Sequence, residues 1–171
     1  EVPTSLRPMR HVEARMPVVI GTAPVQTITD TAKRPVNRPV LCHTYAEFVA
    51  AFGWDEDPAY TLCEAAHIFF RLYAVAPVVF INVFDPVKHT NGVSAVAAAD
   101  IVGGIDAPTG AKTGLELVDS VFPLFRLVPG QILAPGYSDL PAVAVMMQAK
   151  ADEINTMFRA LTVVDLPVDY Y

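Results

Sequence analysis

Apolar and polar positions along this chain fall into blocks with two distinct periods. Residues 16–23 (MPVVIGTA) form an unbroken apolar run closed by Pro24, the pattern of a strand buried on both faces. A polar, proline-punctuated stretch at 25–38 reads as loop, and 39–43 as a short strand. The period then changes. Thr44 with Glu47 makes a capping box, Tyr45, Phe48, Val49 and Phe52 recur at helical spacing, and Gly53 stops the helix. Pro58 is expected to open a second helix, with Leu62, Ala66, Phe69, Phe70 and Tyr73 on its apolar face and Pro77 beyond its end. Residues 78–84 (VVFINVF) are β-branched and aromatic and read as a buried strand.

Beyond Asp85-Pro86 the pattern fades. Residues 86–100 are small and weakly patterned, with an Asn91-Gly92 turn signal, and read as a weakly structured crossing. Periodicity returns with Thr113 and Glu116, a second capping box that predicts a helix over 114–125. A strand follows at 131–134, then a helix over 140–155 with Asp139 as its cap and Pro141 in its first turn. The last strand is at 158–164. Alternating strands and helices predict an α/β fold: a mostly parallel sheet with helices on its faces, in a single compact domain over 16–171. Residues 1–15, with Pro3 and Pro8 and no helical period, read as an extended amino-terminal arm.

Composition adds one constraint. The 171 residues are 53% hydrophobic and 18% charged, with a mean hydropathy of +0.37; typical globular domains are nearer a quarter charged. Either both sheet faces are covered, or apolar surface meets other subunits, and both are expected. A net charge of -6 argues against an electrostatic nucleic-acid partner. No apolar run approaches the roughly 20 residues that a membrane span needs, and the first residues carry charges without the apolar core of a signal peptide. The first residue is Glu1, not Met, and the expectation is a trimmed piece of a longer chain. Basic residues gather early (Arg7, Arg10, Arg15, Lys33, Arg34, Arg38) and acids follow at Asp55, Glu56 and Asp57, a solvated asymmetry that could also pair between neighbours. Cys42 and Cys63 lie in apolar segments and read as buried free thiols.

Three groups of residues could carry chemistry. Gly103, Gly104 and Gly110 precede Lys112-Thr113, as in a phosphate-binding loop. Ala111 stands where such a loop needs glycine, and the segment before it is a poor strand; a turn ahead of a capped helix accounts for the glycines. Cys42, His43, Cys63 and His67 supply the ligand types of a tetrahedral zinc site, but adjacent strand residues such as Cys42 and His43 point to opposite faces. Asp85, Tyr137, Ser138 and Asp165 follow three predicted strands and could converge at the carboxyl edge of the sheet, where open α/β folds hold ligands. No nucleophile–base spacing accompanies them.

Several phrases resemble one family. The turn GGIDAPTGAKTGLE, the strand VPGQILAPGYS, the closing FRALTVVDLP, and earlier PVVIGTAP, RPVLCHTYAEFVAAFGW, TLCEAAHIFFRLY and VVFINVFDPVKH are similar, in order, to the contractile tail sheath proteins of bacteriophages, prophages and tailocins. The resemblance implies the amino-terminal, outer α/β portion of a sheath subunit. Such a subunit polymerises helically around a tail tube and contracts to drive the tube through the cell envelope, with no catalysis. It would be made in the bacterial host cytoplasm and end up in the virion tail. Partners would be other copies of itself, and tail tube and baseplate proteins through regions missing from this chain. No cofactor, metal, catalytic residue, nucleic acid or membrane is implied. Family members carry a β-rich insertion at the 86–100 crossing and a carboxyl-terminal domain beyond the last strand; here both are absent from the sequence. The alternative from a different class is an α/β small-ligand-binding protein or enzyme using the carboxyl edge; a zinc-stabilised adaptor is a third.

Overall fold

A computed structural model describes residues 16–107 and 109–166. The expected arm at 1–15 lies outside the described residues. Strands β1 (Met16–Gly21), β2 (Pro39–Cys42), β3 (Val78–Asn82), β6 (Pro129–Leu133) and β7 (Leu161–Val163) form one sheet in the order β2-β3-β1-β6-β7. β1 runs parallel to β3 and β6, and β6 parallel to β7. Only β2 is antiparallel, against β3. The α/β expectation and its mostly parallel sheet hold in one compact domain.

Every residue of β1 and β3 is buried. Successive strand side chains point to opposite faces, so both faces of the sheet centre are covered. On one face Phe80 meets Phe48 and Phe52 of α1 (Tyr45–Phe52), with ring centroids 4.8 and 6.2 Å away, and Phe70 at 5.9 Å. Gly21 shares that face, because a Cβ there would stand 2.3 Å from the Thr61 hydroxyl of α2 (Thr61–Ala66). The second half of the chain supplies α3 (Ala98–Val102), α4 (Val118–Phe125) and α5 (Pro141–Asp152). Their buried Ile101, Val118, Val121, Val143 and Met147 complete the core. No described helix is long and apolar enough to cross a membrane.

Local chemistry moved several boundaries. Thr44 caps α1 as expected, with Oγ1 accepting the Glu47 N–H at 3.2 Å, but the reciprocal bond of a capping box is displaced by one residue, the Glu47 carboxylate accepting the His43 N–H at 2.7 Å instead. The second helix starts at Thr61, not Pro58. Its orphan donors go to the end of β1: Thr22 Oγ1 accepts the Thr61 N–H and the Thr22 carbonyl accepts that of Leu62. It continues through residues His67–Leu72 in wider π-type turns. The expected Thr113–Glu116 box is not made, because Thr113 Oγ1 bonds Gly104 and the Glu116 carboxylate bonds Lys150 at 2.8 Å; a 3-10 turn over Gly114–Leu117 leads into α4 instead. Asp139 does not cap α5. Leu140 holds that position without a side-chain bond, and Pro141 supplies the first turn. The 25–38 loop contains two 3-10 turns. The 86–100 crossing contains a 3-10 turn at Val93–Ala95 and the start of α3.

Candidate functional site

The carboxyl ends of the parallel strands gather the polar residues that an α/β fold would use. Ser138 follows β6 and is 1% exposed; Asp165 follows β7. Ser138 Oγ donates to Asp165 Oδ2 at 2.9 Å and accepts the Asp165 N–H at 2.8 Å, while Gly136 N–H donates to the same Oδ2 at 3.0 Å. The serine hydroxyl thus has a carboxylate partner and no imidazole, and its lone pair is occupied by a backbone donor. This is a fastening between two loops, not an activated nucleophile.

Asp85, after β3, is separated from that pair. Its Oδ1 accepts the Val87 N–H at 2.9 Å, and its own N–H donates to His89 Nδ1 at 3.0 Å. His89 Nδ1 also lies 3.1 Å from the Asp85 carbonyl oxygen, and Nε2 faces Asp100 Oδ2 at 3.4 Å without completing a hydrogen bond. Lys88 donates to Asp100 Oδ1, and Asp100 Oδ2 also accepts the Ala97 N–H at 2.9 Å. The His89 ring stacks on Phe84, centroids 5.8 Å apart. Burial alone would raise the Asp100 carboxyl, but Lys88, the Ala97 N–H and His89 together hold it below the usual carboxylate range. Tyr137 is pushed up by burial, against a hydrogen bond with Thr22, and Asp100 adds to the rise. Of the four expected residues the structure therefore joins only Ser138 to Asp165, and Asp85 bonds into its own turn with Val87 and His89. Lys88, His89 and Asp100 were missed in the sequence because they lie in the crossing with no period to mark them.

The glycine-rich segment is a two-stranded ribbon, β4 (Gly104–Ile105) against β5 (Lys112–Thr113). Gly103 has φ +68°, and a Cβ there would stand 1.9 Å from the Thr113 carbonyl oxygen. Close backbone approach explains this glycine. The Gly104 N–H donates to Thr113 Oγ1 at 3.1 Å, and Lys112 is 3.3 Å from Asp119, so the groups a phosphate would need are used internally.

Cys42 and Cys63 are free and buried. Burial pushes the Cys42 thiol up to about 12, with Glu47 adding, and the Cys63 thiol to about 11; both stay protonated at neutral pH. His43 and His67 are exposed. Among the described residues no three His, Cys, Asp or Glu side chains are placed to share a metal ion.

A second charged cluster ties the helical layers together. Lys150 of α5 bridges Glu116 at 2.8 Å and Asp119 at 3.1 Å, and Asn155 donates to the Asp119 carbonyl at 2.8 Å. Burial would lower the Lys150 ammonium, but the two carboxylates reverse this and raise it. The acids of the early asymmetry shape a turn: Asp55 accepts from Asp57 N–H and Asp57 from Ala59 N–H, both at 2.9 Å. They border an open cleft of about 380 Å³ walled by Trp54, Tyr60 and His67.

No family model matches the chain. It is 31% identical over 149 residues to a protein of Pseudomonas aeruginosa (strain UCBPP-PA14) named "Putative prophage major tail sheath protein", a match covering 87% of this chain and 35% of that protein. Along this part of its length the chain is similar to a tail sheath protein, which supports a tail sheath family. It spans about a third of the length of this curated relative. Ser138 and Asp165 tie the turn after β6 to the end of β7.

Proposed function

We propose that this chain is a structural domain of a tail sheath subunit, one that polymerises around a tail tube and contracts to push the tube through a cell envelope. The observation that carries the reading is the 31% identity to a named prophage sheath protein along 87% of the chain. The structure is compatible with it: a densely cored sheet, polar clusters spent on internal fastening, and no paired nucleophile and base among the described residues. A contractile sheath needs subunits that move as nearly rigid bodies between two sets of contacts of different energy, which asks for a stiff domain and not for a cofactor. In this reading the chain is the outer α/β portion. It is made in the bacterial cytoplasm and incorporated into the virion or prophage particle. Its partners are other copies of itself, and the tail tube and baseplate are met through other parts of the subunit. It has no catalytic role.

Electron microscopy of the purified gene product at high concentration tests polymerisation: hollow striated tubes or stacked rings are expected. A small metabolite that binds with defined stoichiometry and raises the melting temperature would count against the reading, and in favour of a ligand-binding α/β protein.

A further inference from the structure

The cleft of about 380 Å³ beside the turn between α1 and α2 has a one-sided chemistry. Half-buried Trp54, buried Tyr60 and exposed His67 give it aromatic walls, and the carboxylates of Asp55, Glu56, Asp57 and Glu64 surround them. Among the described residues no Lys or Arg lines the cleft, and none of these four carboxylates enters an ion pair. Two of them are fixed by their own turn, Asp55 Oδ1 accepting the Asp57 N–H and Asp57 Oδ1 the Ala59 N–H. Negative groups set around a concave, apolar-walled surface concentrate their field there. The occupant that complements this surface is a cation with a flat or apolar body.

Three observations narrow the kind of cation. Among the described residues no three of the acidic or imidazole groups are placed to share a metal ion, so the charge is spread around the rim and does not suit a compact ion. The same aromatic group already carries a guanidinium. Trp54 meets Tyr45 in a T-shaped contact at 5.4 Å and His67 at 6.5 Å, and Arg71 Cζ stands 4.4 Å over the Tyr45 ring. A planar guanidinium stacks on rings and offers donors to more than one carboxylate at a time. Finally, Glu56, Asp57, Pro58, Glu64 and His67 are all exposed. So open a cleft does not enclose a free small molecule, which needs most of its surface buried; it suits a side chain reaching in from a larger body.

We propose that this cleft receives an arginine side chain from an exposed segment of a partner protein. The guanidinium lies against Trp54 and His67, with its donors toward Glu64 and the Asp55–Asp57 turn. The contact is independent of the sheath reading, since neither requires the other.

Trp54 is the single tryptophan of the chain, so its fluorescence reads the cleft directly. Titration of the 171-residue chain with the blocked tripeptide Ala-Arg-Ala gives a saturable change with a millimolar Kd. The blocked Ala-Lys-Ala peptide binds more weakly, and Ala-Gln-Ala does not bind. Glu64→Gln, at an exposed position of α2, weakens the arginine peptide by about threefold, the scale of one exposed charge pair. Glu153→Gln removes the same charge at an exposed position outside the cleft and leaves the affinity unchanged. The absence of any saturable change up to about 20 mM peptide overturns the proposal. So does free guanidinium that gives the same response at the same concentrations, which would make the site one for small cations. Equal effects of Glu64→Gln and Glu153→Gln overturn it too, because they would reduce the binding to the overall charge of the chain.

Discussion

His89 and Asp100 meet across the crossing between β3 and α3, with Nε2 3.4 Å from Oδ2 although the residues lie eleven positions apart. With Lys88 on the other carboxylate oxygen and the Ala97 N–H capped by the same group, one aspartate closes the segment onto the end of β3. The carboxylate form is the one that makes these contacts.

Acid should therefore loosen this part of the molecule. The Asp100 carboxyl is held below its ordinary value in the folded state, so its contribution is present above about pH 4 and is lost as pH falls through the folded value. Asp100→Asn keeps the shape and removes that dependence. Urea midpoints measured between pH 2 and 6 should fall less steeply with acid for Asp100→Asn than for the parent, with a loss of about 1 kcal/mol at pH 7. Parallel curves would show that Asp100 is not held in this way.

Lys150 acts at the other end of the scale. Its ammonium is raised by Glu116 and Asp119, so its contribution is complete below about pH 10 and is lost as pH rises through the folded value. Lys150→Met leaves the two carboxylates facing each other. The variant should be destabilised by about 1–3 kcal/mol at pH 7, and its melting temperature should approach that of the parent as pH climbs past 10.

Asn82 is a polar side chain at the centre of the sheet. It is fully buried; Oδ1 accepts from Ala23 at 2.9 Å and Phe84 at 3.1 Å, and Nδ2 donates to the Phe84 carbonyl at 2.9 Å. Asn82→Leu leaves two buried main-chain donors without partners, at about 1–3 kcal/mol each. Denaturant unfolding should show a loss of about 2–5 kcal/mol; a near-neutral result would mean that other acceptors are within reach.

Two glycines separate backbone strain from crowding. Gly103 and Gly110 both have positive φ, +68° and +67°, but only Gly103 has main-chain atoms where a Cβ would go. Gly110→Ala should cost about 1–2 kcal/mol from conformation alone. Gly103→Ala should cost clearly more, because the ribbon must shift away from the Thr113 carbonyl. Equal losses in the two variants would contradict the close approach.

The parts of the fold that could be read in the sequence are those where one residue type has one physical use. The unbroken apolar runs of β1 and β3 announce strands covered on both faces, and Thr44, Glu47 and Gly53 mark both ends of α1. Boundaries went astray where a cap comes from far away or a side chain has a better offer. Thr22 sets the start of α2 from thirty-nine residues upstream of Thr61, and Lys150 draws Glu116 away from Thr113. The ribbon at β4 and β5 is only two residues per strand, too short for a period to register. At the carboxyl edge the sequence located Ser138 and Asp165 but not their mutual bonding, and it missed His89 and Asp100. Polar residues at strand ends look alike whether they bind a ligand or tie a loop, and only the partner atoms distinguish the two.

The most direct measurement of the proposed sheath role uses tail particles from the organism that encodes this chain, labelled with gold-conjugated antibody against the folded domain and viewed by electron microscopy. Labelling along the length of the tail wall is the predicted result. Intact tails that remain unlabelled, with the antigen recovered instead among free proteins of the lysate, would contradict the assignment.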